Sequence, residues 1–225
     1  LHGLRHLNNS TPEMKNLFRI LTLKIITCED AMKPQELCNA LFGLKHMKAH
    51  GSEMQRLLNF FSEQIRLTKE PFTGQGLATA VCGLESMDSN CEEVRMVAAA
   101  LAEKLRASPA DPQSLFSEEG MSMALYSFRS KNVNFPEIRA LIDALSARLL
   151  QMEPTVFSGE TCGNILNGLS RMNSTHRVYR DLISRITDKI EIPEGYSPPA
   201  AGARGGSPGE WRMSQHDVFK AFCGL

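Results

Sequence analysis

The sequence has little of what usually marks chemistry. Its six cysteines (Cys28, Cys38, Cys82, Cys91, Cys162 and Cys223) form no CxxC pair and no close cluster. That argues against a zinc module or a disulfide framework and for reduced, structural thiols in a reducing compartment. No apolar run is long enough to cross a bilayer, so membrane insertion is not expected. Charge of one sign is missing too: Lys plus Arg and Asp plus Glu each total 25, and the formal net charge is zero. A generic nucleic-acid binder is usually basic, because phosphate neutralisation dominates its affinity; a balanced chain leaves room only for a local basic stripe. Aromatic residues make up 7%, with one Trp and three Tyr, and the apolar content lies in Leu, Ala, Met and Ile, a balance that suits helices better than sheets.

Catalytic signatures are equally scarce. The sequence contains no GxSxG, no phosphate-binding GxxxxGK[ST] and no HExxH. His46 and His50 stand four apart, as do His2 and His6, but no third ligand accompanies either pair. Cys38, Cys82 and Cys162 fall beside small residues at helix-packing positions, where a thiol fills space; nucleophilic work would need a base nearby. No enzyme activity, metal, cofactor or small-molecule substrate is expected.

What the sequence does have is repetition. Gly-Leu recurs at Gly3-Leu4, Gly43-Leu44, Gly83-Leu84, Gly168-Leu169 and Gly224-Leu225, and Ser127-Phe128 fills the one gap. The intervals are 40, 40, 44, 41 and 56 residues, a period near that of helical-hairpin repeats. Eleven residues after each member of this column, which we number zero, an apolar set begins with the spacing i, i+3, i+4, i+7, i+11. The sets are Met14, Leu17, Phe18, Leu21, Ile25, then Met54, Leu57, Leu58, Phe61, Ile65, then Val94, Val97, Ala98, Leu101, Leu105. They continue as Ile138, Leu141, Ile142, Leu145, Leu149 and Tyr179, Leu182, Ile183, Ile186, Ile190. This spacing is one face of an α-helix. Glu13, Glu53, Glu93 and Glu137 precede the first four sets, and Pro12 and Pro136 stand before two of them, as suits a helix N-terminus.

A first helix surrounds the zero column itself. Position −6 is Leu37, Leu77, Met121, Cys162 and Val218; −3 is Ala or Ile; +4 is Leu7, Met47, Met87, Lys131 and Met172. Thr73, Ser117, Ser158 and Ser214 at −10 are expected N-caps, with Phe72, Phe116, Phe157 and Met213 before them as hydrophobic staples. Glycine inside a helix costs about 1 kcal/mol against alanine, so its recurrence predicts a close helix contact. The expected fold is all-α, an α-solenoid of tandem two-helix repeats over residues 1–190, with helices at about 34–48 and 52–67 in the second copy. A Pro/Gly-rich insertion at 191–210 and the first helix of a further repeat at 211–225 follow. The apolar faces at both ends predict a segment of a longer array, or ends that dock on other protein subunits.

If the first helices line a binding face, their ligand-facing positions lie opposite the apolar stripe. Position −4 is Asn39, Thr79, Met123, Asn164 and Lys220, and +3 is His6, His46, Ser86, Ser130 and Arg171, flanked by Arg5, Lys45, Arg129 and Lys131. Polar side chains that vary between copies suit base reading, and the basic ones suit phosphate contacts. The alternative is that this is the ordinary solvated face of a helix.

The segments Ala40-Leu41-Phe42-Gly43-Leu44-Lys45-His46-Met47 and Ala80-Val81-Cys82-Gly83-Leu84-Glu85-Ser86-Met87, followed in the third copy by Glu92-Glu93-Val94-Arg95, resemble the helical-hairpin repeats of organellar proteins. The families are the octotricopeptide and heptatricopeptide repeat proteins of algae and alveolates, and the resemblance covers nearly the whole chain apart from 191–210. It implies an RNA-binding protein of an organelle, a mitochondrion in preference to a plastid, acting in RNA metabolism or within a ribosome on single-stranded or ribosomal RNA. Because some members of these families are architectural, and because the net charge is zero, a protein-binding scaffold without RNA contact is the alternative.

Overall fold

A computed structural model of the chain describes residues 1–7, 10–108, 116–152, 157–170 and 177–188. Among them all regular structure is helical: a 3-10 turn at His2–Leu4 and nine α-helices, with no strand. The helices are α1 (Pro12–Ile26), α2 (Pro34–Gly43), α3 (Ser52–Leu67), α4 (Gly74–Gly83), α5 (Glu92–Ala107), α6 (Glu118–Tyr126), α7 (Pro136–Gln151), α8 (Gly159–Gly168) and α9 (Arg177–Asp188). The insertion at 191–210 and the segment at 211–225 lie outside the described residues.

The expected caps start the short helices. The hydroxyls of Thr73, Ser117 and Ser158 accept from the backbone nitrogens of Gly76, Gly120 and Thr161 at 3.1, 3.0 and 3.1 Å. Phe72, Phe116 and Phe157 are buried in front of them. In the second copy the −10 residue is Lys33, and the Glu36 carboxylate replaces the hydroxyl by accepting from the Lys33 nitrogen at 2.9 Å. Pro12 and Pro136 open α1 and α7, where a missing N–H costs no helical bond.

One boundary differs from expectation. α2 ends at Gly43 rather than near residue 48, and the chain continues in i→i+3 turns: the nitrogens of Leu44, Lys45 and Met47 donate to the carbonyls of Leu41, Phe42 and Leu44. The same three bonds recur after Gly83 and after Ser127. Residues three apart eclipse one another in such turns, so the +1 and +4 columns stay on the buried side after the α-helix has stopped.

Helices pack on their next-but-one neighbours. α2, α4, α6 and α8 form one row, preceded by the 3-10 turn, and α1, α3, α5, α7 and α9 form the other; the two rows meet through the pairs α2/α3, α4/α5 and α6/α7. The core lies between the rows. All five members of the apolar sets of α3, α5 and α7 are buried, as are Tyr179, Leu182 and Ile186 of α9; Ile190 is outside the described residues. α1 is the exception. It has a packed neighbour in its row on one side, α3, so Phe18 is buried while Leu17, equivalent to the fully buried Leu57 and Leu141, is 41% exposed.

The zero-column glycines sit where first helices touch. A Cβ on Gly83 would come 2.3 Å from the carbonyl oxygen of Leu41 and 2.8 Å from the Phe42 nitrogen; Gly43 and Gly168 face the backbone of Leu1–His2 and Leu125–Tyr126 in the same way. A crevice of about 240 Å3 lies between α4 and α6 beside Ala78, Thr79 and Met123, and one of about 220 Å3 between α2 and α4 beside Cys38 and Gly76.

Candidate nucleic-acid interface

The −4 positions lie on the first helices, and the +3 positions in the turns that follow them. Asn39, Thr79 and Asn164 are half-buried on α2, α4 and α8, and His46, Ser86 and Ser130 are exposed in the turns that follow α2, α4 and α6. Asn39 accepts at Oδ1 from Gln35 Nε2 (3.2 Å), and Thr79 donates to the Gln75 carbonyl (2.8 Å), so both carry local bonds a ligand would have to exchange or extend. Ser130 donates to the Glu85 carbonyl at 3.3 Å. Arg5 is half-buried beside the 3-10 turn, and Arg171 lies outside the described residues.

The basic flank is differently arranged from the sequence expectation. Glu85, in the same register as Lys45 and Arg129, joins them in a ladder across three repeats: its Oε2 lies 3.1 Å from Lys45 Nζ and its Oε1 2.5 Å from Arg129 Nη1. Burial pushes the Glu85 carboxyl up, but the hydrogen bonds and charges of Arg129 and Lys45 outweigh it and hold the group below the usual carboxylate range. Both cations also rest on aromatic faces, Arg129 at 4.1 Å from the Tyr126 centroid and Lys45 at 6.0 Å from that of Phe42.

Lys131 is a correction. The sequence pattern sets it among the phosphate-facing residues, yet it is buried, in the column that Met47 and Met87 fill elsewhere. Its ammonium donates to the carbonyls of Leu84 (2.6 Å), Glu85 (2.9 Å) and Met87, just beyond the C-terminus of α4. Three donors meet three carbonyls at the negative end of a helix, which leaves nothing for a phosphate. Burial pushes its pKa from 10.5 down to about 8.

Other cations the sequence reading passed over do related work. Lys104 donates to the carbonyls of Arg66 and Thr68 at 3.1 and 2.6 Å, and Arg148, in the same column one repeat on, to those of Leu105 (2.7 Å) and Ser108. Arg106 reaches forward to the Ala140 carbonyl at 2.9 Å. Lys104 and Arg148 close the orphan carbonyls at helix ends in the neighbouring repeat, while Arg106 meets a carbonyl within the first half of α7. The signal was present as a basic residue 21 positions after the zero column, Lys104 and Arg148, but it carries no meaning until the rows are stacked.

No family model, curated protein or solved structure matches this chain. Among the described residues no helix is long and apolar enough to cross a membrane. The buried thiols of Cys38 and Cys162 are pushed up by burial to about 12 and about 11, and that of Cys82 is raised for the same reason, so all three are protonated at neutral pH.

The Lys131 arrangement makes a direct prediction. Lys131→Met restores the residue of the neighbouring copies and removes a buried charge, so its stability should stay within about 1.5 kcal/mol of wild type. Lys131→Ala, which empties the site, should cost about 2 kcal/mol or more. Since the folded pKa lies below the unfolded one, the cost of burying the ammonium is fully present below pH 8 and fades as pH rises to 10.5. Urea melts should therefore show wild type gaining on Lys131→Met across that window. The raised thiols act in the opposite sense above their ordinary value of 9, but equally in both proteins.

Proposed function

We propose that this chain is an α-solenoid of tandem two-helix repeats that binds single-stranded RNA along the edge of its first-helix row, and that it works as a binding protein rather than an enzyme. One observation carries the reading: positions −4 and +3 bring different polar side chains, Asn39, Thr79 and Asn164 with His46, Ser86 and Ser130, to the same register of successive helices, while the core columns between them stay constant. Amide, imidazole and hydroxyl groups that change from unit to unit on a fixed scaffold suit one-by-one reading of unstacked bases. The resemblance to octotricopeptide and heptatricopeptide repeats supports an organellar setting, a mitochondrion in preference to a plastid, in RNA metabolism or a ribosome.

The test is binding of single-stranded RNA by the intact chain as salt is raised. Affinity should fall steeply with salt, and Asn39→Ala or Asn164→Ala should change base preference with little effect on the salt slope. Lys45→Gln and Arg129→Gln, which remove two cations that share the single Glu85 carboxylate and leave one positive charge over, should weaken binding to all sequences alike. Absence of RNA affinity at low salt would defeat the reading. A second reading, a protein-binding scaffold in a large complex, is favoured by α1, where Leu17, Ile20 and Leu23 are 41%, 44% and 39% exposed on one face. Co-purification with a fixed set of proteins, lost on changing those three residues to Ser, would favour it.

A further inference from the structure

α1 stands apart in its row, because among the described residues it has α3 after it and no packed helix on its other side. Two columns register the difference. At +14, Leu57, Val97, Leu141 and Leu182 are fully buried while Leu17 is exposed; at +17, Ala100 and Ala144 are buried while Ile20 is exposed. These columns form the side that each helix turns to the one before it. The polar contacts between successive helices define what covers that side. Near the end of α5, Lys104 at +21 donates back to the carbonyls of Arg66 and Thr68, where α3 ends, at 3.1 and 2.6 Å. Arg148, at +21 on α7, donates in the same way to Leu105 (2.7 Å) and Ser108, where α5 ends. These helices therefore lie parallel, each holding the last carbonyls of its predecessor. Lys24 is the +21 residue of α1, and it is exposed. Carbonyls in a last turn lack intrahelical donors and carry the negative end of the helix dipole, so they are what a cation at +21 is placed to receive. Leu23 adds a condition. On α5 the +20 residue is Glu103, which pairs with Arg66 of α3 at 3.5 Å; on α1 it is an exposed leucine, which suits an apolar residue in the place of that arginine.

We propose that this side of α1 docks an α-helix of a partner protein, laid parallel to α1 as α3 lies on α5, with its last carbonyls on the Lys24 ammonium and its apolar face on Leu17, Ile20 and Leu23. The proposal rests on the second, protein-binding reading above and is independent of RNA. A second copy of the chain is a poor source of such a helix, since the forward sides of its α1, α3, α5 and α7 already lie under α3, α5, α7 and α9. The occupant is therefore a helix whose side is free, with apolar residues every three or four positions and one of them in its final turn. It carries no basic residue there, which would compete with Lys24 for the same carbonyls.

The probe is a labelled peptide of residues 11–28 with Cys28→Ser, held helical by a hydrocarbon staple that replaces the exposed Lys15 and Arg19. Its forward side is the one that covers a bulky +17 residue, Phe60, in the folded chain, and its +23 residue is the apolar Ile26. Titrated with the whole chain, it should bind saturably, and Leu17→Ser/Ile20→Ser in the chain should weaken binding about tenfold. Lys24→Gln should weaken it about threefold, Lys24→Arg should bind as wild type because arginine holds the same place on α7, and Lys15→Gln/Arg19→Gln should change nothing. Urea melts should show every variant folded. Tighter binding to Leu17→Ser/Ile20→Ser would mean that the peptide displaces α1 from α3, and would overturn the proposal. Equal binding to Lys24→Gln and wild type would remove the carbonyl joint and the parallel orientation with it. Sedimentation that shows wild type self-associating, and the Leu17→Ser/Ile20→Ser chain monomeric, would replace the partner protein by a second copy. If the peptide does not bind, yet a fixed protein set still co-purifies with the chain, the docking fails while the protein-binding reading stands.

Discussion

Gly83→Ala should destabilise the protein by about 3 kcal/mol, the upper end of what overpacking usually costs, and Gly83→Leu by more. The expectation is notable for its sign. Alanine is the better helix former by about 1 kcal/mol, so propensity alone predicts a gain. Packing reverses it, because the new methyl would be driven into the Leu41 carbonyl of α2 and come 2.8 Å from the Phe42 nitrogen. Neither is the far end of a flexible side chain; both are helix backbone, so α4 must move off α2 as a body and disturb the fully buried Leu41 and Leu44 behind it. Gly3 supplies the control within the same column. A Cβ there meets nothing within 4 Å, so Gly3→Ala should be neutral or slightly stabilising. Urea melts that keep their slope and shift their midpoint would measure both. A Gly83→Ala protein as stable as wild type would show that the helices do not approach as closely as described.

The second large effect comes from the other row. Leu141 is fully buried in α7, and α7 packs on α5 before it and α9 after it. Truncation to alanine removes its transfer free energy and leaves a cavity that two flanking helices cannot both close, so Leu141→Ala should cost about 2–5 kcal/mol. Leu17 stands in the same column of the repeat but is 41% exposed, and Leu17→Ala should cost under about 1 kcal/mol. The difference between two chemically identical changes at equivalent positions reports how much of the stability lies between repeats. Equal effects would mean that α1 is covered in solution, which bears directly on the scaffold reading.

Cations on helix ends here mostly serve the protein itself. Lys104 and Arg148 close carbonyls of the preceding repeat, Arg106 reaches the next one, and Glu85 bridges Lys45 and Arg129. The zero net charge of the chain therefore says nothing about how charge is arranged on any one surface.

Read alone, the sequence determined the all-helical class, the helix starts and the core columns. Each of these is local: an i, i+3, i+4, i+7 stripe, a Ser or Thr before a helix, and a Pro at its first position act within a dozen residues, and five copies make chance agreement implausible. It also marked the glycine column, since a residue costly to a helix recurs only where something else requires it. What it left undetermined depends on neighbours about forty residues away. Lys131 reads as a surface cation by its type, and only the carbonyls beyond α4 make it an interior one. Lys45 and Arg129 read as free charges until stacking sets Glu85 between them. α2 stops at Gly43 because the turns that follow pack their +1 and +4 residues inward, a choice settled by the adjoining repeat rather than by propensity. The row of stacked helices decides which polar groups are already engaged and which remain for a ligand, because that depends on distances between repeats that no single repeat contains.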